Sequence, residues 1–80
     1  MSVRPYTEKQ GQYLAFIHAY TKVMRQPPAI ADFARYFEVA PPSAQRMVMQ
    51  LAKLGLIRKT PGAARSIRLT LAAADLPTLD

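Results

Sequence analysis

Apolar residues recur at helical spacing along the first third of the chain: Tyr13, Leu14, Phe16, Ile17, Tyr20 and Met24. That period predicts a helix of about Glu8 to Met24. Thr7-Glu8-Lys9-Gln10 marks its start as a capping box, with the Thr7 hydroxyl accepting from the Gln10 backbone and the Gln10 side chain reaching back. Gly11 lies inside this helix and costs it about 1 kcal/mol relative to alanine. Pro27-Pro28 stop it, because the first proline also disfavours helical geometry at Gln26. A shorter helix follows at Ile30 to Phe37, with Ile30, Phe33, Ala34 and Phe37 on one side. Val39-Ala40-Pro41 then forms a turn. Pro42 opens a third helix, where its missing N–H is no loss. This helix runs to about Leu54 and buries Ala44, Met47, Val48, Leu51 and Leu54. Gly55 ends it in the left-handed conformation that glycine tolerates.

The period then shortens. Leu56 to Thr60 and Ser66 to Leu71 read as two strands around the loop Pro61-Gly62-Ala63-Ala64, with Arg65 at its exit. In the second strand Ile67 and Leu69 point one way and Arg68 the other, as in a half-buried ribbon. The residues beyond Leu71 have no strong period and read as a tail. Leu71, Leu76 and Leu79 offer a weak dimer contact there, against the more common outcome of a frayed terminus.

Composition narrows the class. Eighty residues make one small domain, and half of them are hydrophobic, which describes a folded chain. Without cysteine there are no disulfides and no thiolate metal sites. His18 is the single histidine; it falls on the polar side of the first helix and reads as a solvated residue. No apolar run reaches the roughly 20 residues of a membrane span, and the N-terminus lacks a secretory core. The expectation is a soluble cytoplasmic protein without cofactors. It is not expected to be an enzyme: there is no nucleophile–base pair, no phosphate-cradling glycine loop and no carboxylate cluster in the basic half.

Charge gives the direction. Between Pro41 and Thr70 lie six basic residues (Arg46, Lys53, Arg58, Lys59, Arg65 and Arg68) and no acidic one, so the net charge of +6 resides in that stretch. The outward face of the third helix then holds Ser43, Gln45, Arg46, Met49, Gln50 and Lys53. The major groove of duplex DNA admits one helix, and side chains near that helix's N-terminus read base edges. Glutamine pairs with adenine and arginine with guanine, while lysine most often meets phosphate. Gln45 and Arg46 are the first candidates for base contact. Met49 is placed to touch a thymine methyl or to stay exposed. Arg58, Lys59 and Arg65 on the hairpin supply a second arm for the DNA backbone.

These residues resemble the N-terminal DNA-binding domain of the LexA repressor family. The resemblance runs from about Thr7 to Leu69. It rests on Thr7-Glu8-Lys9-Gln10, Phe16-Ile17, Pro27-Pro28, Ile30-Ala31-Asp32-Phe33-Ala34, Leu51-Ala52-Lys53, Gly55-Leu56-Ile57 and Gly62-Ala63-Ala64-Arg65-Ser66-Ile67-Arg68-Leu69. The wing segment in register with the other pieces is the most specific part. It implies a mainly α fold, a three-helix winged helix-turn-helix with a C-terminal two-stranded β-hairpin wing over residues 1–70, and a tail over 71–80. It also implies a small transcriptional regulator that binds duplex DNA sequence-specifically. Two departures limit the analogy. The family's third helix begins with proline and asparagine, then alanines and a pair of glutamates; here it begins Pro41-Pro42-Ser43-Ala44-Gln45-Arg46, after a turn one residue shorter. The family's operator is therefore not expected to carry over. The family's self-cleaving protease domain, with its serine and lysine, would follow the tail; it is expected to be absent, together with the dimerisation it supplies.

Two other classes compete. A winged helix also serves as a protein-interaction module, whose positive patch docks on an acidic partner. Single-stranded or RNA binding calls for exposed aromatics, and only Tyr6 and Tyr36 are candidates, because Tyr13, Phe16, Tyr20, Phe33 and Phe37 sit at core spacing. Arg68, near the body of the fold, reads equally as a structural partner of Asp32 or Glu38. A module this small contacts few base pairs, so specificity calls for pairing as a homodimer.

Overall fold

The computed structural model describes residues 5–80; the first four residues of the expected domain lie outside them. Three helices, α1 (Glu8–Met24), α2 (Ile30–Phe37) and α3 (Pro41–Lys53), precede a hairpin of β1 (Ile57–Arg58) and β2 (Arg68–Leu69). This is the winged helix-turn-helix arrangement expected. The capping box forms as read: the Gln10 amide donates to Thr7 Oγ1 at 3.2 Å and the Thr7 amide to Gln10 Oε1 at 2.8 Å. The core runs through all three helices and the hairpin, with Leu14, Ile17, Phe33, Ala44, Val48, Leu51, Leu56, Ile57 and Ile67 buried. Tyr13 stacks on Phe33 and Phe37, and Phe16 packs against Phe33, so most of the aromatic rings join α1 to α2.

The end of α3 differs from expectation by one residue, with a clear cause. The Gly55 amide donates to the Ala52 carbonyl and the Leu56 amide to the Leu51 carbonyl, both at 3.0 Å, while Gly55 takes φ +78°. That is a Schellman stop, and it is Leu56, packed with Leu51, that enters the core. Leu54, expected to be buried, is left 53% exposed.

The strands are shorter than the apolar pattern suggested. Ile57 pairs with Leu69 and Arg58 with Arg68 in an antiparallel register. Beyond them a side chain takes over from the ladder: the Thr60 amide donates to Ser66 Oγ at 3.0 Å, and that hydroxyl lies 3.2 and 3.1 Å from the Thr60 and Ala63 carbonyls. At the base of the wing the Thr70 hydroxyl donates to the Gly55 carbonyl.

The tail is docked, not frayed. A short 3₁₀ turn forms at Ala73–Asp75, and Leu71, Leu76 and Leu79 pack against the core. The Gln12 side chain donates to the Thr78 carbonyl at 2.9 Å and accepts from the Asp80 amide at 2.8 Å. Tyr6, expected to be exposed, is buried and donates to the Asp75 carbonyl at 2.6 Å. Gly11 makes room for this arrangement, since a Cβ there would lie 2.7 Å from the Tyr6 ring and 3.1 Å from Pro77. The tail leucines therefore serve the fold of their own chain.

Candidate nucleic-acid interface

With Ala44, Val48 and Leu51 facing the core, α3 must turn its other side to solvent. Ser43, Arg46, Met49, Gln50 and Lys53, together with Met47, line one shallow concave surface there. Arg46 and Lys53 lie two turns apart on this face. Gln45 is exposed beside it, and Met49 is 57% exposed. Two of these side chains are already oriented. Arg46 Nη2 donates to Ser43 Oγ at 3.2 Å, which swings the guanidinium toward the start of the helix. Gln10 Nε2 donates to Gln50 Oε1 at 3.4 Å, so a residue of the α1 capping box also steadies the last turn of α3.

The beginning of α3 has an unusual property. Pro41 and Pro42 carry no N–H, and the amides of Ser43 and Ala44 both donate to the Ala40 carbonyl, at 2.9 and 3.2 Å. The first four backbone positions thus leave no donor for an anion. Of the four amides that a helix start ordinarily leaves free, only those of Ala40 and Ser43 exist here and Ser43 is engaged, so a phosphate near this end depends mainly on side chains.

Arg58 and Lys59 are exposed on the wing. Arg65, at its exit, is exposed too but internally engaged. Its Nη1 lies 3.0 Å from Asp32 Oδ2, 3.1 Å from the Tyr20 hydroxyl and 3.3 Å from the Pro27 carbonyl. One guanidinium therefore ties the wing to α1, to the α1–α2 turn and to α2. Asp32 is the hub: buried on α2, it also accepts from the Ala29 amide at 2.8 Å, which caps a helix whose own N-cap residue is alanine. Burial alone would raise its carboxyl. The Ala29 amide, the Arg65 charge and the neighbouring Tyr20 hydroxyl outweigh burial and hold it below the usual carboxylate range. The Tyr20 hydroxyl and the Asp32 carboxylate in turn raise Arg65.

The pairing of Asp32 with Arg65 corrects the structural role considered for Arg68. Arg68 stands directly across the hairpin from Arg58, both exposed, and like charges so placed repel. Alternation marked Arg68 as outward-facing, but only the register reveals its partner. Among the described residues the ion pairs are Asp32 with Arg65 and Asp32 with Arg35. Arg46, Lys53, Arg58, Lys59 and Arg68 consequently carry charge that no described acid neutralises. No group of three or more His, Cys, Asp or Glu side chains among the described residues could hold a metal, and none of the described helices is long and apolar enough to cross a membrane.

Comparison with known proteins agrees with this geometry. The family model of the LexA DNA binding domain matches residues 3–66. The LexA repressor of Thermosipho melanesiensis is 40% identical over 63 residues, 79% of this chain and 32% of the repressor. That of Cellvibrio japonicus is 38% identical over 73 residues, 89% of this chain and 36% of the repressor. That of Thermotoga neapolitana is 34% identical over 64 residues, 80% of this chain and 32% of the repressor. The chain thus spans about a third of the length of these relatives.

Proposed function

The chain belongs to the LexA DNA-binding domain family, and from that premise we propose that it binds duplex DNA sequence-specifically as the recognition module of a transcriptional regulator. The observation that carries this reading is the set of unneutralised cations on α3 and the wing. Helix α3 enters the major groove. Arg46 and Gln45 read base edges, flanked by Ser43, Met49 and Gln50, while Lys53, Arg58 and Lys59 hold phosphate. Positions 41–44 at the start of α3 offer no free amide donor, so the phosphate contacts fall to these side chains at the end of α3 and on the wing. Arg65 supports the interface chiefly by fixing the wing against the body.

Selection of the purified protein on a randomised duplex pool tests the proposal. An enriched inverted repeat is expected, with two copies of the chain on one site, since one module of this size reads few base pairs. Arg46→Ala should relax preference at one base position and cost about 1–3 kcal/mol on the enriched site. Lys59→Ala should weaken all duplexes alike. Retention without enrichment, or equal losses on every sequence for both variants, would overturn this division of labour.

A further inference from the structure

A second basic groove lies between α1 and β2, apart from the concave face of α3. Its rim carries His18, Lys22 and Arg25 from α1 and its end, and Arg68 from β2; Ile17, Ile67, Leu69 and Pro27 form its floor. His18, Lys22 and Arg25 recur at helical spacing, so they stand in one row facing the strand. No acidic residue lines the groove. Arg25 is held at the mouth in the left-handed conformation, φ 60°, a geometry arginine seldom adopts, and its amide closes α1 onto the Thr21 carbonyl.

The sheet adds a second feature. It has only two strands, in the order β1-β2, so among the described residues the far edge of β2 is unpaired. Arg58 and Arg68 are cross-strand partners, and the Thr70 amide donates to the Leu56 carbonyl. By the alternation of an antiparallel ladder, the backbone groups of Ile67 and Leu69 then point away from β1. A cationic rim, an apolar floor and an open strand edge occur together.

We propose that this groove binds an extended acidic peptide of a partner protein, which adds a strand to β2. Its carboxylates meet Lys22, Arg25 and Arg68, and alternate apolar side chains rest on Leu69 and the Pro27 ring. An acidic peptide also offsets the repulsion between Arg68 and Arg58. A DNA phosphate chain would use the rim alone, leaving the floor and the strand edge without a purpose; this is why a peptide is the better occupant. The inference does not depend on which bases α3 reads.

The test is titration of the isotopically labelled 80-residue protein, followed by amide NMR, with a peptide of alternating glutamate and leucine. A control peptide carries glutamine for glutamate. Saturable shifts of the amides of residues 18–26 and 67–69 are expected, with α3 unmoved and the control inert. Lys22→Glu should weaken the peptide about tenfold, Lys22→Gln by less, and both should keep duplex affinity within about twofold. Shifts confined to α3, equal binding of the glutamine control, or no saturable shift would overturn the proposal. So would movement of the groove amides with duplex DNA and not with peptide, which would make the groove a further DNA contact.

Discussion

Asp32 shows how much one buried carboxylate organises. It caps α2 through the Ala29 amide and receives Arg65 from the wing, and its carboxyl lies below the usual range because these contacts outweigh its burial. The consequence for pH has a definite sign. A carboxylate whose folded value is depressed gives stability that is present above its unfolded value, about 3.9 for aspartate. That stability is lost as pH falls through the lower folded value. Thermal unfolding followed from neutral pH into acid should therefore show a midpoint that drops below about pH 4. Asp32→Asn should flatten that drop while lowering the midpoint at neutral pH, because the amide keeps the shape and loses the charge. Arg65→Ala should flatten it in part, since the Ala29 amide still lowers the carboxyl, and wing amides should exchange faster with solvent. An unchanged acid limb in both variants would remove Asp32 from this role.

At the scale of elements, two glycines that resemble each other in the sequence behave oppositely. Gly55 has positive φ and nothing within 4 Å of a built Cβ, so Gly55→Ala should cost about 1–2 kcal/mol in denaturant unfolding from backbone strain alone. Gly11 is helical, and propensity by itself would favour alanine by about 1 kcal/mol. Its Cβ would strike the Tyr6 ring, which cannot easily yield because its hydroxyl is bonded to the Asp75 carbonyl. Gly11→Ala should therefore destabilise, with the methyl resonances of Leu76 and Leu79 losing dispersion as the tail lifts. Stabilisation would mean that Tyr6 and the tail are not packed as described. The contrast also marks what the sequence made legible. Helices α1 and α2 and the stop at Gly55 were readable because capping, period and glycine are local signals. The docking of the tail was not, because Leu71, Leu76 and Leu79 reach the core, and Thr78 and Asp80 reach Gln12, across long stretches of chain and follow no period. For the same reason Arg65 and Arg68 could not be told apart: both are basic wing residues, and only register and tertiary packing give one to Asp32 and the other to Arg58.

On the whole molecule, the distribution of neutralised and unneutralised charge yields a quantity that can be measured. Each phosphate contact made by a lysine or arginine releases counterions, and the logarithm of affinity for duplex DNA falls with the logarithm of salt by about 0.9 per contact. Lys53, Arg58 and Lys59 are exposed and pair with no described acid, so each copy of the chain should show a slope of about −2.7. Arg65 is left out of that count because its charge is already met by Asp32 at 3.0 Å. Fluorescence anisotropy on the selected duplex, across a series of salt concentrations, measures the slope directly. Lys59→Ala should make it shallower by about 0.9. Arg65→Ala should weaken binding through a looser wing yet leave the slope where it was. A wild-type slope near −3.6 that falls on loss of Arg65 would mean that this guanidinium leaves Asp32 for a phosphate when DNA arrives. The wing would then be released on binding, and Asp32 would be the group that holds it until then.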